Sequence, residues 1–118
     1  MANPNVVAVS SIYANTAVDA DVAASAVSLL TCGSNKLQKI NSLIIANIDG
    51  TNAATIDVWV TRSSADYYIA KTISVPADAT LVVLSTPIYL MEGDILKGGA
   101  SATGDLDLFI SYEILDDA

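Results

Sequence analysis

Apolar and polar residues alternate most regularly near the C-terminal end of the chain. Apolar residues occupy every second position there and polar residues lie between them, with Phe109 as the one exception. The apolar set is Leu106, Leu108, Ile110, Tyr112 and Ile114, and the polar set is Asp105, Asp107, Ser111 and Glu113. Successive side chains of a strand point to opposite faces, so this period of two predicts a strand with one buried face.

Two segments in the middle of the chain have related patterns. Apolar Ile56, Val58 and Val60 alternate with Asp57, Trp59 and Thr61. In the segment before them, Ile40, Ile44 and Ile48 share one face, and Leu43 and Ile45 lie on the other. Apolar residues on both faces predict a central strand that is covered on both sides.

Turn-forming residues separate further β-prone segments. Strands are predicted at 6–13, 25–32, 67–75, 81–84, 88–91 and 95–97, with turns at 62–66, 76–78, 86–87 and 92–94. We expect Asp49-Gly50 to supply positive φ angles to a turn, and Gly98, Gly99 and Gly104 to frame a last loop. Residues 15–24 are small, Ala-rich and acidic, and the pattern leaves open whether they form a loop or one short helical turn.

Many short strands with frequent turns predict an all-β fold. We expect a single-domain antiparallel β-sandwich over residues 1–118, jelly-roll-like, with about eight short strands. Residues 1–34 are β-prone and small, so they are also a candidate N-terminal arm or strand that contacts neighbouring subunits.

The composition narrows the classes of partner. Only 15% of the residues are charged and 53% are hydrophobic, so either the polar surface is largely Ser, Thr, Asn and Asp, or partners cover part of it. Asp and Glu outnumber Lys and Arg by 13 to 5, and this acidic balance disfavours nucleic acid and anionic membranes as partners. The first five residues lack the basic start of a signal peptide, and no run approaches the roughly 20 apolar residues of a membrane span.

Few residues in the chain suit catalysis or metal binding. Histidine is absent, which excludes Ser-His-Asp and Cys-His mechanisms and His-based zinc sites. We expect the single cysteine, Cys32, to be a small buried hydrophobe rather than a nucleophile. The pairs Asp19/Asp21 and Asp105/Asp107 are more typical of a solvated strand face than of a cation site, and whether a cation binds them is left open. We therefore predict no catalytic residue, no cofactor and no metal ligand.

An aromatic cluster is predicted around the turn at 62–66. Trp59, Tyr67 and Tyr68 flank this turn, and Trp59 either packs against a second layer or contacts a partner. Arg62, the only arginine, lies beside them and is a candidate for one anchoring ion pair with a neighbouring subunit. These four residues form the predicted interface.

The amino-acid sequence of several segments resembles small structural proteins of tailed bacteriophages, of the kind found in cyanophages. The resemblance spans roughly residues 36–115. It is carried by segment 36–47, Val58-Trp59-Val60-Thr61, Tyr68-Ile69-Ala70-Lys71, Ile73-Ser74-Val75-Pro76-Ala77, the segment 87–94 and Ser111-Tyr112-Glu113. It implies a β-sandwich in the virion, as capsid cement or decoration, or as a neck, tail or baseplate component.

The resulting functional expectation is a non-enzymatic virion structural protein, foremost a capsid cement or decoration protein. Its expected partners are the major capsid protein or other virion subunits and further copies of itself, after synthesis in the bacterial host cytoplasm. A neck, tail or baseplate subunit is the first alternative. The second is a carbohydrate-binding β-sandwich module, which would need Trp59, Tyr67 and Tyr68 to be exposed around a shallow groove.

Overall fold

The computed structural model describes residues 7–19, 22 and 27–116, and in this part of the chain all regular structure is β-strand. Nine strands are formed: β1 (Ser11–Asp19), β2 (Val27–Thr31), β3 (Lys36–Asn47), β4 (Ala54–Arg62), β5 (Ala65–Val75), β6 (Thr80–Leu84), β7 (Ile88–Leu90), β8 (Ile95–Ala100) and β9 (Leu106–Asp116). The described residues include no helix of the length and apolarity that a membrane crossing requires.

The strands form two antiparallel sheets. The first sheet has the order β1-β9-β3-β6, with β7 also paired to β3, and the second has the order β2-β8-β4-β5. Because β6 and β7 both pair with β3 and are separated only by 85–87, they act as one interrupted strand. The chain then forms four nested antiparallel pairs, which are β1:β9, β2:β8, β3:β6/β7 and β4:β5. This is the arrangement of one long hairpin rolled into two layers, the jelly-roll topology. The predicted sandwich of about eight strands is confirmed.

The core lies between the two sheets and takes side chains from both. The predicted inner face of β9 is buried, with Ile114 only partly covered, and Ile56 and Val58 of β4 are fully buried opposite it. The largest fully buried side chains are Ile40, Leu43, Ile45, Ile56, Leu90, Leu96, Leu106 and Ile110. Period-two patterns thus identified the inner faces of β4 and β9 correctly.

The prediction for β3 was right about its central position and wrong about its faces. Ile40 pairs with Tyr112 and Ser42 with Ser111, so Asn41 is an extra residue in a β-bulge. A bulge reverses the alternation beyond it. Ile40 therefore shares the core face with Leu43 and Ile45, while Ile44 lies on the outer face and Ile48, just beyond the strand, is half exposed.

The N-terminal prediction was also displaced. A strand was expected at 6–13 and a loop or helical turn at 15–24, but β1 runs through Asp19 and so includes half of the Ala-rich segment. Residues 20, 21 and 23–26 lie outside the described part. Both β1 and β2 pair within the chain's own sheets, and their contact with neighbouring subunits stays a prediction.

The structure confirms some of the turns that the sequence predicted. Gly93 and Gly104 have positive φ, as does Asp78 after Pro76, and Ser63-Ser64 closes the predicted β4–β5 turn. Neither Asp49 nor Gly50 has positive φ, because this segment crosses between the sheets instead of closing a hairpin. The buried Asn47 amide holds that crossover, since it donates to the Asn52 and Val75 carbonyls and accepts from the Asp49 N–H.

Gly98 and Gly99 were also expected in a loop, and they are instead part of β8. A Cβ on Gly98 would lie 3.2 Å from Leu29 Cδ1, so the position is close-packed against β2. The last loop is therefore 101–105, and of the three glycines only Gly104 belongs to it.

Candidate functional site

The structure divides the predicted interface into two separate places. Trp59 and Tyr68 lie opposite each other on the outer face of the second sheet, with ring centroids 5.3 Å apart. Lys71 Nζ lies 4.5 Å from the centroid of the Tyr68 ring, an ordinary cation–π distance. Consecutive strand residues point to opposite faces, so Tyr67 does not join this group.

Trp59 is more enclosed than an interface anchor or a sugar platform would be. Only 8% of the residue is exposed, although it lies on the outer face, and Tyr68 packs against it within the same sheet. A carbohydrate-binding groove requires an accessible aromatic face, and Trp59 does not offer one. The geometry therefore disfavours the carbohydrate-binding alternative.

Arg62 and Tyr67 line a different groove, of about 370 Å³, together with Val60 and Tyr89. Arg62 uses its fork within the chain: Nε donates to Asp94 Oδ1 at 2.8 Å and Nη2 donates to Oδ2 at 2.6 Å. The only arginine thus has an intramolecular partner, and its predicted role at a subunit interface stays a prediction.

Asp94 was not predicted as a partner for Arg62. Its side chain is 1% exposed, and Oδ2 also accepts the Met91 N–H at 2.8 Å. Burial by itself raises the pKa of Asp94, but the hydrogen bonds from Arg62 and Met91 and the charge of Arg62 outweigh it, so the net pKa is lowered. The Arg62–Asp94 ion pair links the β7–β8 turn to the end of β4.

Cys32 is buried, as predicted. It is 2% exposed, and its Sγ lies 3.3 Å from the Lys36 carbonyl oxygen, within reach of a weak S–H donation. Burial raises the pKa of this thiol, and nearby Asp94 and Glu92 raise it further against the opposing hydrogen bond from the Gln38 N–H and the charge of Lys36. A protonated, enclosed thiol is a poor nucleophile.

The acidic pairs do not form a metal site within the residues that the structure describes. No group of three or more Cys, Asp or Glu side chains comes together in that part of the chain. Asp21 lies outside the described residues, and a cation site at the Asp19/Asp21 pair lies outside them with it. Asp105 precedes β9 in a loop, and Asp107 lies on the outer face of the first sheet beside Ala46.

One row of apolar side chains crosses the whole outer face of the first sheet. Val18 of β1 pairs with Phe109 of β9, Phe109 pairs with Ile44 of β3, and Ile44 pairs with Val82 of β6. Val18, Phe109 and Val82 are 68%, 47% and 54% exposed, and Ile44 is half-buried between them. We call Val18, Phe109, Ile44 and Val82 the apolar row.

Polar and charged side chains border the apolar row on both sides. A groove of about 410 Å³ lies along it, with Asp19 and Asp107 among its lining residues. On the other side Ser42 pairs with Ser111, and beyond them Lys39 pairs with Glu113. In that charged row Ala14 of β1 pairs with Glu113, and Tyr89 of β7 pairs with Lys39.

Sequence reasoning missed this surface, although one signal pointed to it. Phe109 is the residue that broke the alternation in β9, and it lies in the middle of the apolar row. The other three members of the row come from strands distant in sequence, and one of them, Val18, lies in the segment that was expected to be a loop or helical turn.

Comparisons with known proteins identify a shared fold but no family. No protein-family model and no curated protein matches the chain. Among solved structures, a Bacillus endospore appendage protein, described as belonging to a family of disulfide-linked pili, is 16% identical and aligns over 91% of this chain and 89% of its own, with a TM-score of 0.54.

Two further structures are more distant. A pentameric capsid protein from metagenomic phage sequences is 17% identical over 86% of this chain and 60% of its own, with a TM-score of 0.43. The NLP core of Drosophila is 12% identical over 89% of this chain and 98% of its own, with a TM-score of 0.49. At these identities the comparisons establish a shared fold with the Bacillus appendage protein and no more than that: the chain is a jelly-roll sandwich.

Proposed function

We propose that this protein is a non-enzymatic structural subunit of a phage virion, and foremost a cement or decoration protein of the capsid. The observation that carries the proposal is the apolar row on the outer face of the first sheet. Burial of exposed apolar surface against another protein contributes roughly 25 cal/mol per Å². A face that is apolar across four strands therefore favours a permanent protein partner.

The low charge of the chain supports the same role. Only 15% of the 118 residues are charged, so charged side chains cover little of the surface. The resemblance of residues 36–115 to tailed-phage structural proteins supplies the virion as the assembly. The segments that carry the resemblance include all of β3 and β7, most of β5 and parts of β4 and β9, so it falls on the sandwich frame rather than on one loop.

In this role the sandwich acts by adding buried area between capsid subunits. A cement protein resists the pressure inside the shell when its contacts across a seam must break before the shell opens. The two-layer frame suits such a load, because its core is continuous between the sheets and the Arg62–Asp94 pair and the Asn47 amide tie strand ends together.

The test is incorporation into particles. Gradient-purified particles are produced in a host that carries the wild-type gene, Phe109→Asp or the matched control Ile73→Asp, and the copies per particle are counted by quantitative mass spectrometry. Ile73 is also an exposed apolar side chain, but it lies on β5 of the second sheet, away from the apolar row and outside the predicted interface. We expect many copies of the wild-type and control proteins and at least a tenfold loss for Phe109→Asp. Absence of the wild-type chain from purified particles would overturn the proposal.

The position of the chain in the particle distinguishes cement from the neck, tail and baseplate alternatives. A density map of the particle should show the chain spread over the shell, along the seams between capsid subunits. Density confined to one vertex would replace the cement role by a neck or tail role within the same structural class.

A fibre subunit is a second candidate, favoured by the shared fold with the Bacillus appendage protein. The edge of β1 gives this candidate a physical basis, because among the described residues its nine strand positions pair with β9 alone. The only cysteine is buried, so a disulfide link between subunits is not available in the described conformation. Filaments of the purified wild-type chain in negative-stain micrographs would favour this candidate.

A further inference from the structure

We propose that the outer face of the first sheet is covered by the same face of a second copy, related by a two-fold axis that runs parallel to the strands between β9 and β3. This deepens the proposed function, and rests on its premise that the face is buried in an assembly, by naming the first partner as the chain itself.

The strand order decides what such an axis brings together. The first sheet runs β1-β9-β3-β6, so a two-fold axis between the two central strands places β9 over β3 of the second copy and β1 over β6. Residues keep their height along the strands under this rotation. Phe109 then faces Ile44 of the second copy and Val18 faces Val82, so each apolar row covers the other along its whole length.

The charges on the face select this axis. Glu113 pairs with Lys39 two rows away from the apolar row, and the rotation places each Glu113 opposite Lys39 of the second copy. Asp107 meets Ala46, so no like charges are opposed. A two-fold axis perpendicular to the strands through the apolar row would instead bring Glu113 over the start of β9, where Asp105 and Asp107 lie. Opposed like charges disfavour that arrangement.

The size of the face is sufficient for a stable pair. Four strands spaced about 4.8 Å apart, with nine paired residues at about 3.4 Å each, cover about 19 Å by 30 Å. The two copies together would bury on the order of 1,200 Å², which reaches the lower end of specific interfaces. Two faces of this kind pack about 10 Å apart, as sheets do in sandwiches.

Sedimentation of the purified protein over a range of concentrations tests the pair. We expect a wild-type dimer, and the same dimer for Ile73→Asp. For Phe109→Asp we expect a folded monomer, with dimerisation weakened about 100-fold or more, because each buried Phe109 ring is replaced by a carboxylate that faces the apolar Ile44 of the second copy. A wild-type chain that stays monomeric at all concentrations overturns the proposal, as does a dimer that tolerates Phe109→Asp.

Cross-linking tests the direction of the axis. Ala14 of β1 and Tyr89 of β7 are exposed members of the charged row at opposite edges of the sheet. The proposed axis places Ala14 about 10 Å from Tyr89 of the second copy, but two Ala14 residues about 17 Å apart. Ala14→Cys chains mixed with Tyr89→Cys chains should therefore cross-link with a short bis-maleimide. Neither variant alone should do so efficiently, and the wild type, whose one cysteine is buried, is the background.

The two proposals fail in different ways. If the purified chain is monomeric while Phe109→Asp still lowers the copies per particle, a different virion protein covers the face and only the self-pairing is overturned. If the pair forms and cross-links as described but the chain is absent from particles, the self-pairing stands and the virion role is overturned. Efficient cross-linking of either single variant would overturn the axis.

Discussion

At the scale of single residues, the ion pair of Arg62 and Asp94 is the contact with the most direct consequence for stability. Asp94 has a lowered pKa in the folded protein, and the carboxyl of an unfolded chain titrates near about 3.9. A group of this kind stabilises the fold above the unfolded pKa, and the contribution is lost as the pH falls through the folded pKa. The pair therefore contributes at neutral pH and fails in acid.

Replacement of Arg62 by Gln is expected to leave Asp94 buried with the Met91 N–H as its remaining donor. The pKa of Asp94 should rise toward or above its unfolded value, so the stability lost between pH 7 and pH 3 should be smaller in the variant than in the wild type. At pH 7 we expect a lower free energy of unfolding, because the buried Asp94 carboxylate loses both hydrogen bonds from Arg62 and its charge partner. The free energy of unfolding in urea, measured from pH 3 to 7, checks this, with Lys97→Gln as the control. Equal pH profiles for the wild type and Arg62→Gln would contradict it.

At the scale of elements, the β4–β5 hairpin contains a backbone strain that substitution can relieve. Ser63 and Ser64 both have positive φ and form the two-residue loop between the paired Arg62 and Ala65. That is the geometry of a type I′ turn, for which Asn-Gly is the preferred sequence. Each non-glycine residue in this region costs roughly 1 kcal/mol or more.

The double substitution Ser63→Asn with Ser64→Gly should therefore stabilise the protein by about 1 kcal/mol, after allowance for the greater freedom of Gly in the unfolded chain. Thermal and urea unfolding give the measurement. The control is the reversed order, Ser63→Gly with Ser64→Asn, which suits the turn less well. A stability that does not change, or falls, in the Asn-Gly variant would show that the serines are not strained.

Regular elements were predictable from the sequence, and irregular ones were not. In β9 and β4 the alternation is uninterrupted on the core side, so counting by two found the buried residues. In β3 one extra residue, Asn41, reversed the faces, and no feature of its neighbours announces a bulge. The same counting rule separates Tyr67 from Tyr68, so their division between two surfaces was available from the sequence.

The apolar row could not be predicted, because its members meet through registers between strands that are far apart in the chain. Phe109 gave a local signal, but Val18, Ile44 and Val82 join it only once the order β1-β9-β3-β6 is known. Asp94, in the β7–β8 turn, is a similar case, since its partner Arg62 lies 32 residues away at the end of β4. The period of the hydrophobic pattern shows which face of a strand is buried. Both of these sites depend instead on which residues of different elements lie next to each other in the fold.

At the scale of the whole molecule, the two sheets share one core, so they should unfold together. Ile110 of the first sheet is fully buried in the same cluster as Val58 of the second. Trp59, the only tryptophan, lies on β4 next to Val58, so its fluorescence reports on the second sheet. A defect in the first sheet should therefore move the fluorescence transition as much as the transition in circular dichroism, which reports on both sheets.

Ile110→Ala removes buried methyl groups from the first sheet and should cost about 2–5 kcal/mol. The measurement belongs in the Phe109→Asp background, where dissociation of the proposed pair adds no dependence on protein concentration. We expect coincident urea transitions by Trp59 fluorescence and circular dichroism, both shifted to lower urea by the same amount. A fluorescence midpoint that stays in place while the dichroism midpoint falls would show that the second sheet survives without the first. A subunit that resists load across a shell needs its two sheets to unfold together. The outer face of the first sheet can keep its contact with a partner only while the second sheet stays folded behind it.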